Sequence, residues 1–189
     1  MKNVVIIGTA ILVLILIGIG LLYEGKETRI GVLDNEEEIF LGLINQYRAE
    51  NGLAPLAITP MLEESAQWMS EDMKSKEYFS HTDSLGRDPF VRMSAFGYNF
   101  NTWRGENLAY GILSGQDAFV LWKNSPGHNA NMLKPEFVVM GIGKDEEYWT
   151  TDFGGYVPLS STFIPTAPPT PEPTVVPATI PATPICTCE

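Results

Sequence analysis

The sequence predicts an α+β domain, and three observations lead to that class. Segments with apolar residues at helical spacing fill the first part of the domain, and two short strand-like segments follow them. An apolar run precedes this part of the chain and a Pro- and Thr-rich tail follows it, so the globular part lies between them. Because helices followed by late strands favour a layered α+β arrangement, we place one such domain at residues 35–157.

The first two predicted helices have apolar stripes at the spacing of one helical face. The first helix begins near residue 36 and is expected to end at Gly52. The second helix has Thr59 as its expected cap and Pro60 as its first residue. The expected buried stripes are Ile39, Phe40, Leu43, Ile44 and Tyr47 in the first helix and Leu62, Ala66, Met69 and Met73 in the second.

Two further helices and a hairpin complete the predicted domain. Asp88 and Pro89 begin the third helix, which Gly97 ends, and Ser114 is the expected cap of the fourth. After Pro135, the segments "EFVVMGIGKD" and "EYWTTDFGG" are short, rich in β-branched or aromatic residues, and separated by an acidic turn. This pattern predicts the two strands of a hairpin.

The segment before the domain is apolar enough to cross a membrane. Residues 4–22 are apolar residues and glycines apart from one threonine, and a helix of about 19 residues reaches roughly 28 Å, close to the hydrocarbon thickness of a bilayer. We predict an uncleaved signal anchor at 4–22, with residues 1–3 as a short flank and 23–34 as a juxtamembrane linker. The alternative is a cleaved signal peptide, which the length of the run and the lack of a small-x-small site before Tyr23 disfavour.

The tail, residues 158–189, is predicted to be disordered because Pro and Thr with almost no charge cannot build a core. Such a tail is typical of extracellular spacers that carry O-glycans, or it is a plain disordered extension. This places the domain outside a single-pass anchor in the cell membrane. Cys186 and Cys188 are the only cysteines, so the domain has no disulfide framework; we expect free thiols or bridges to another chain.

The charge of the chain excludes some classes of partner. The formal net charge is −11 at pH 7. Nucleic acid binding needs clustered Lys and Arg, so we expect no nucleic acid partner. Docking on an anionic lipid surface by charge alone is also excluded.

Three polar side chains stand out as candidates for chemistry. His81 lies in "YFSHTD", Glu106 in "RGENLAYG" and His128 in "SPGHNAN", and we predict that each sits at the end of an element, where functional groups are usually displayed. Two imidazoles and a carboxylate are suitable zinc ligands. Their spacing does not match a compact metal motif, however, and each residue alone has a plain structural explanation: a hydrogen-bonding histidine or a glutamate that caps a turn.

Four motifs in this order resemble those of the CAP superfamily, which includes cysteine-rich secretory proteins, antigen 5 and pathogenesis-related proteins. They are "FSHTD", "GENLAYG", "WKNSPGHNANML" and "YWTTDFG". The chain is most similar to the disulfide-free prokaryotic branch, the SCP-like extracellular proteins. The resemblance covers nearly all of the predicted domain and implies an α-β-α sandwich with an open cleft.

The same resemblance implies that His81, Glu106 and His128 line that cleft, with "SPGH" aiming His128 at the other two. The family's second glutamate corresponds to Ser125, so that carboxylate is absent here, and Thr151 stands where relatives often have glutamine. Both departures disfavour conventional acid-base catalysis. Asn129 and Asn131 are expected to hydrogen-bond the surrounding loops.

Three functions are compatible with these residues. The first is a binding module that holds a divalent metal such as zinc, a lipid, a protein or another cell-envelope ligand. The second is a metal-dependent hydrolase or protease with Glu106 as base. The third is a structural domain whose tail makes the interactions. We favour the first, a protein that is not an enzyme, with His81, Glu106 and His128 as the metal site and the membrane contacted through residues 4–22.

Overall fold

The computed structural model describes residues 33–158 and the backbone of residues 185–188. The predicted anchor, the linker up to residue 32 and most of the tail lie outside this part of the chain. Among the described residues, no helix has both the length and the apolar character that a membrane span requires. The helices found there are α1 (Asn35–Glu50), α2 (Pro60–Lys76), α3 (Pro89–Ala95), α4 (Gly115–Asn124) and α5 (Pro126–Met132).

The strands of the described residues form one sheet with the order β1-β3-β4-β2-β5. Its centre is the predicted hairpin, in which β3 and β4 pair antiparallel, and β2 pairs antiparallel with the other side of β4. The short β1 runs parallel to β3, and β5 pairs antiparallel with β2. The strands are β1 (Ala57–Ile58), β2 (Arg104–Tyr110), β3 (Val139–Asp145), β4 (Tyr148–Gly154) and β5 (Ile185–Cys188).

Helix α2 covers one face of the sheet at very short range. A Cβ on Gly143 would lie 2.2 Å from the backbone nitrogen of Gln67, so only glycine permits this approach of helix and strand. Ser70 Oγ donates to the carbonyl of Gly143 and bonds Thr150 Oγ1, both at 2.9 Å. The predicted α2 stripe is confirmed, because its four members are all buried.

The opposite face carries the largest apolar cluster, between the sheet and helices α1 and α4. Phe40 of α1 packs edge-on against Trp122 of α4, with ring centroids 5.0 Å apart, and Trp149 of β4 lies beside them. Leu41 of α1 is also buried in this cluster, although the predicted stripe did not include it. Helices on both faces give the α-β-α layering that the family resemblance implied.

Local signals at helix starts are confirmed in part. Asp88 accepts from the backbone N–H of Val91, and Ser114 accepts from that of Asp117, as predicted for caps. Thr59 and Ser125 occupy cap positions before Pro60 and Pro126, but neither side chain accepts a capping hydrogen bond. In these two helices the proline at the first position therefore marks the start without a side-chain cap.

The tail differs from the prediction at its end. Residues 185–188 form β5, so the prediction of a disordered tail over the whole of 158–189 does not hold for these four residues. The physical reason is that the outer edge of β2 offers unpaired backbone groups, and the segment "ICTC" is free of proline and can satisfy them.

Candidate functional site

His81 and Glu106 are in direct contact. His81 Nδ1 lies 2.7 Å from Glu106 Oε1, and the two side chains are 9% and 0% exposed. His81 is in the loop that follows α2, whereas Glu106 is the third residue of β2. The prediction that Glu106 sits at the end of an element is therefore wrong, because β2 extends on both sides of it.

The loop that carries His81 is organised by the carboxylate of Asp72 on α2. Tyr78 Oη donates to Asp72 Oδ2 at 2.5 Å, and Ser84 donates to the same side chain from its backbone N–H at 2.9 Å and its hydroxyl at 2.6 Å. Burial acts to raise the pKa of Asp72, but the hydrogen bonds from Ser84 and Tyr78 hold that pKa below its usual value. The loop is thus bonded on both sides of His81.

Arg92 is the cation of the site. Its Nη2 forms an ion pair with Glu106 Oε2, and its Nη1 donates to the backbone carbonyl of His81 at 3.2 Å. Both charged side chains are 0% exposed. Helix α3, started by Asp88 and Pro89, presents Arg92 to the sheet. Both oxygens of Glu106 are therefore engaged, one by His81 and one by Arg92.

A second carboxyl group completes the cluster. Asp152 on β4 lies directly opposite Glu106 in the ladder, accepts from Ser65 Oγ at 2.6 Å, and has its Oδ1 3.9 Å from Arg92 Nη2. Burial, followed by repulsion from Glu106, raises the pKa of Asp152 well above its usual value, against the attraction of Arg92. The shift favours the protonated form of Asp152, because Arg92 already has Glu106 as its ion-pair partner.

His128 is held from the other face of the sheet. Successive side chains of a strand point to opposite faces. Leu108 packs with Met69 and Met73 of α2, whereas Ala109 belongs to the apolar cluster between the sheet and helices α1 and α4. Glu106 and Asn107 therefore also lie on opposite faces. Asn107 Nδ2 donates to the backbone carbonyl of His128 at 3.2 Å. The structure therefore brings His81 and Glu106 into contact, and it connects the His128 backbone to the next residue of the same strand.

Helix α5 has further bonds to β2. Asn131 Nδ2 donates to Asn107 Oδ1 at 2.9 Å and to the backbone carbonyl of Glu106 at 3.3 Å. His128 is 1% exposed, and the centroid of its ring lies 6.4 Å from that of Trp122 on α4. The expectation that Asn131 hydrogen-bonds the surrounding loops is therefore wrong for these two bonds, because both acceptors lie on strand β2.

The contacts of Glu106 suit a residue that orients a metal-bound histidine better than a residue that binds the metal directly. Within residues 33–158, no group of three or more His, Cys, Asp or Glu side chains is arranged to hold a metal ion. A metal bound directly by Glu106 would have to compete with Arg92 for Oε2 or with His81 for Oε1. The metal site at His81, Glu106 and His128 stays a prediction.

Sequence analysis missed three members of the cluster: Arg92, Asp152 and Ser65. A signal for Asp152 was present, because in "YWTTDFG" it lies on the same face as Thr150, and a carboxyl group inside a strand needs a partner. Arg92 follows Pro89 by three residues in a short helix, a position that alone does not reveal a buried cation. Ser65 lies on the α2 face that meets the sheet, where a serine needs an acceptor.

Comparison with known proteins identifies the family. The model of the cysteine-rich secretory protein family, CAP, matches residues 41–153. The chain belongs to the CAP family. A Bacillus subtilis protein, YkwD, is 39% identical over 121 residues, which cover 63% of this chain and 47% of YkwD. The B. subtilis membrane protein YlbC is 35% identical over 117 residues, 62% of this chain and 34% of YlbC.

A solved CAP structure shares the fold. The crystal structure of an extracellular protein with an SCP domain from Bacillus anthracis superposes with a TM-score of 0.59 at 30% identity, covering 62% of this chain and 39% of the other. This chain spans less than half the length of each of these three relatives. Residues 41–153 thus belong to a CAP domain of the kind found in bacterial extracellular proteins.

Proposed function

We propose that this chain is a membrane-anchored extracellular protein whose CAP domain is a binding module with its ligand site at the His81–Glu106 cluster. The observation that carries this proposal is the engagement of both Glu106 oxygens, by His81 Nδ1 and by Arg92. A buried carboxylate held in this way orients its neighbours and is poorly placed to take a proton from a substrate. The geometry therefore favours recognition over the hydrolase in which Glu106 is the base.

A divalent metal such as zinc is the ligand that the donor atoms favour. When neutral His81 donates its Nδ1–H to Glu106, its Nε2 lone pair is the atom that can bind a metal, and a carboxylate commonly orients a metal-bound histidine in this manner. His128 is the proposed second imidazole; because its backbone is bonded on the opposite face of β2, its ring would have to meet the metal past the edge of that strand, with Glu106 as the orienting partner. With two protein ligands and no carboxylate at Ser125, the affinity should be modest, and a lipid or another cell-envelope molecule is the alternative ligand.

Zinc titration calorimetry of the full-length protein in a mild detergent tests the metal part of this proposal. His81→Ala and His128→Ala should each weaken zinc binding by about tenfold or more, while the circular dichroism spectrum stays native. Binding should also weaken as the pH falls through about 6.5, because protons compete for the imidazoles. Thr82→Ala, an exposed neighbour of His81, is the control. If both histidine variants bind zinc like the parent, the site is elsewhere; if both unfold, the histidines are structural.

The location is tested separately. The apolar run at residues 4–22, the Pro- and Thr-rich tail and the likeness to an extracellular protein and to a membrane protein support a single span with the domain outside. Protease added to intact cells should then remove the domain. A domain that is protected in intact cells and digested after lysis would contradict this topology.

A further inference from the structure

The outer edge of β2 is shared by two different segments. Near its start, the backbone carbonyl of Glu106 accepts from the Asn131 side chain of α5. From Asn107 to Tyr110, the edge pairs with β5, in a register that sets Cys188 opposite Asn107 and Ile185 opposite Tyr110. The second part of the edge is thus filled by a strand from the extreme C-terminus.

The chain between the domain and β5 is much longer than this docking needs. The domain leaves the sheet at Gly154, which pairs with Arg104, whereas β5 begins opposite Tyr110, about 20 Å away along β2. The connector, residues 159–184, has roughly 26 residues and is rich in Pro and Thr. A chain of that many residues can span at most about 90 Å, several times the distance required. Its length therefore permits β5 to dock on its own domain or on a neighbour.

The mode of docking also permits exchange. Strand addition to a sheet edge rests on main-chain hydrogen bonds, which any copy of β2 offers equally. β5 has only four residues, and a strand this short is individually weak. Of the segments that the structure describes, β5 is the one seen to fit this edge, and every copy of the chain carries it.

We propose that residues Asn107–Tyr110 form a strand-acceptor site through which two copies of this chain exchange their C-terminal strands. β5 can dock on its own domain or on another copy, and the two contacts are the same. The effective concentration of the tethered strand therefore decides which of them forms. Tethering two binding elements through a chain of tens of residues gives an effective concentration of order 1 mM. Exchange is therefore small in dilute solution and becomes substantial at local densities near that value.

Amide hydrogen exchange in β2 tests the acceptor site. All measurements use full-length protein in detergent with reductant present, so that no disulfide contributes. In the parent, the β2 amides that face β5 should be protected. Deleting residues 185–189 should lower that protection by about tenfold or more, and Thr187→Pro should do the same, because proline cannot donate to the ladder. Unchanged protection in both variants would overturn the assignment of β5 as the strand that covers this edge.

Exchange between copies is tested by adding strands back to isotopically labelled protein that lacks residues 185–189. A peptide with the sequence of residues 183–189 should restore protection, and the same peptide with proline at the position of Thr187 should not. Unlabelled parent protein should restore protection progressively as its concentration rises toward the millimolar range. If the peptide restores protection and the parent protein does not, donation between copies is refuted. If the peptide also fails, the acceptor site itself is refuted.

Discussion

The two members of the buried Arg92–Glu106 ion pair should differ in what their removal costs. Both side chains are 0% exposed, and removing one partner of a buried pair typically lowers the free energy of unfolding by about 3–5 kcal/mol. Arg92→Met should show a loss of that size, because the Glu106 carboxylate then has no buried cation beside it. The measurement belongs at about pH 8, where an ordinary histidine is neutral.

Glu106→Gln should cost less because Asp152 can replace the lost charge. Asp152 Oδ1 is 3.9 Å from Arg92 Nη2, and repulsion from Glu106 is one of the causes that raise the pKa of Asp152, after burial. Without Glu106 that pKa falls, so Asp152 can ionise and become the counter-ion of Arg92. We therefore expect a loss of about 1–3 kcal/mol, the cost of an imperfectly satisfied buried polar group.

A double variant isolates this compensation. Adding Asp152→Asn to Glu106→Gln removes the second carboxyl group and should restore the full penalty, so the two changes together should cost more than their separate sum. Denaturant unfolding followed by fluorescence of the buried Trp122 and Trp149 gives each free energy of unfolding. Equal losses for Arg92→Met and Glu106→Gln, or simple additivity in the double variant, would refute a charge exchange between the two carboxyl groups.

Three further changes probe other parts of the fold. Asp152→Asn alone should become more stable relative to the parent as the pH rises above about 4. The pKa of Asp152 is raised in the folded protein, so its ionisation favours the unfolded chain and destabilises the parent. Unfolding measured at a series of pH values checks this. Gly143→Ala should lower the free energy of unfolding in denaturant by about 1–3 kcal/mol or more, because its Cβ would meet α2 backbone at 2.2 Å. Arg48→Met should lower the free energy of unfolding by several kcal/mol, since the guanidinium donates to four backbone carbonyls. The backbone amides that follow α5 should then exchange faster with solvent. An unchanged denaturation midpoint would contradict this prediction.

The elements that sequence predicted are those with strong local signals. The pair Asp88-Pro89 and the cap Ser114 mark helix starts whatever the rest of the chain does. The hairpin of β3 and β4 combines β-branched or aromatic segments with an acidic turn, in which Glu146 has a φ of 52°. These signals involve neighbours in sequence, so they survive without knowledge of the tertiary structure.

Strand β2 was missed because its residues are weak strand formers. Its sequence "RGENLAY" contains Gly, Glu and Asn, which are depleted in strands, and its conformation comes from pairing with β4 and β5. Burial of Glu106 inside the sheet is tolerable only with Arg92 beside it. The partners of this ion pair come from separate elements, so neither periodicity nor spacing could reveal the contact. The family resemblance pointed to Glu106 without showing what holds it there.

The adjacent pair Glu106-Asn107 explains how histidines 47 positions apart in the sequence are fixed relative to one strand. Glu106 bonds His81 on the α2 face, while the Asn107 side chain bonds the His128 carbonyl on the opposite face. Because side chains alternate along a strand, two consecutive residues are enough to connect both layers to β2. A displacement of β2 would therefore move both histidine-bearing segments together, with no direct bond between them. β5 pairs with β2 from Asn107 onward, so docking or release of β5 acts on the same strand that positions the proposed ligand site.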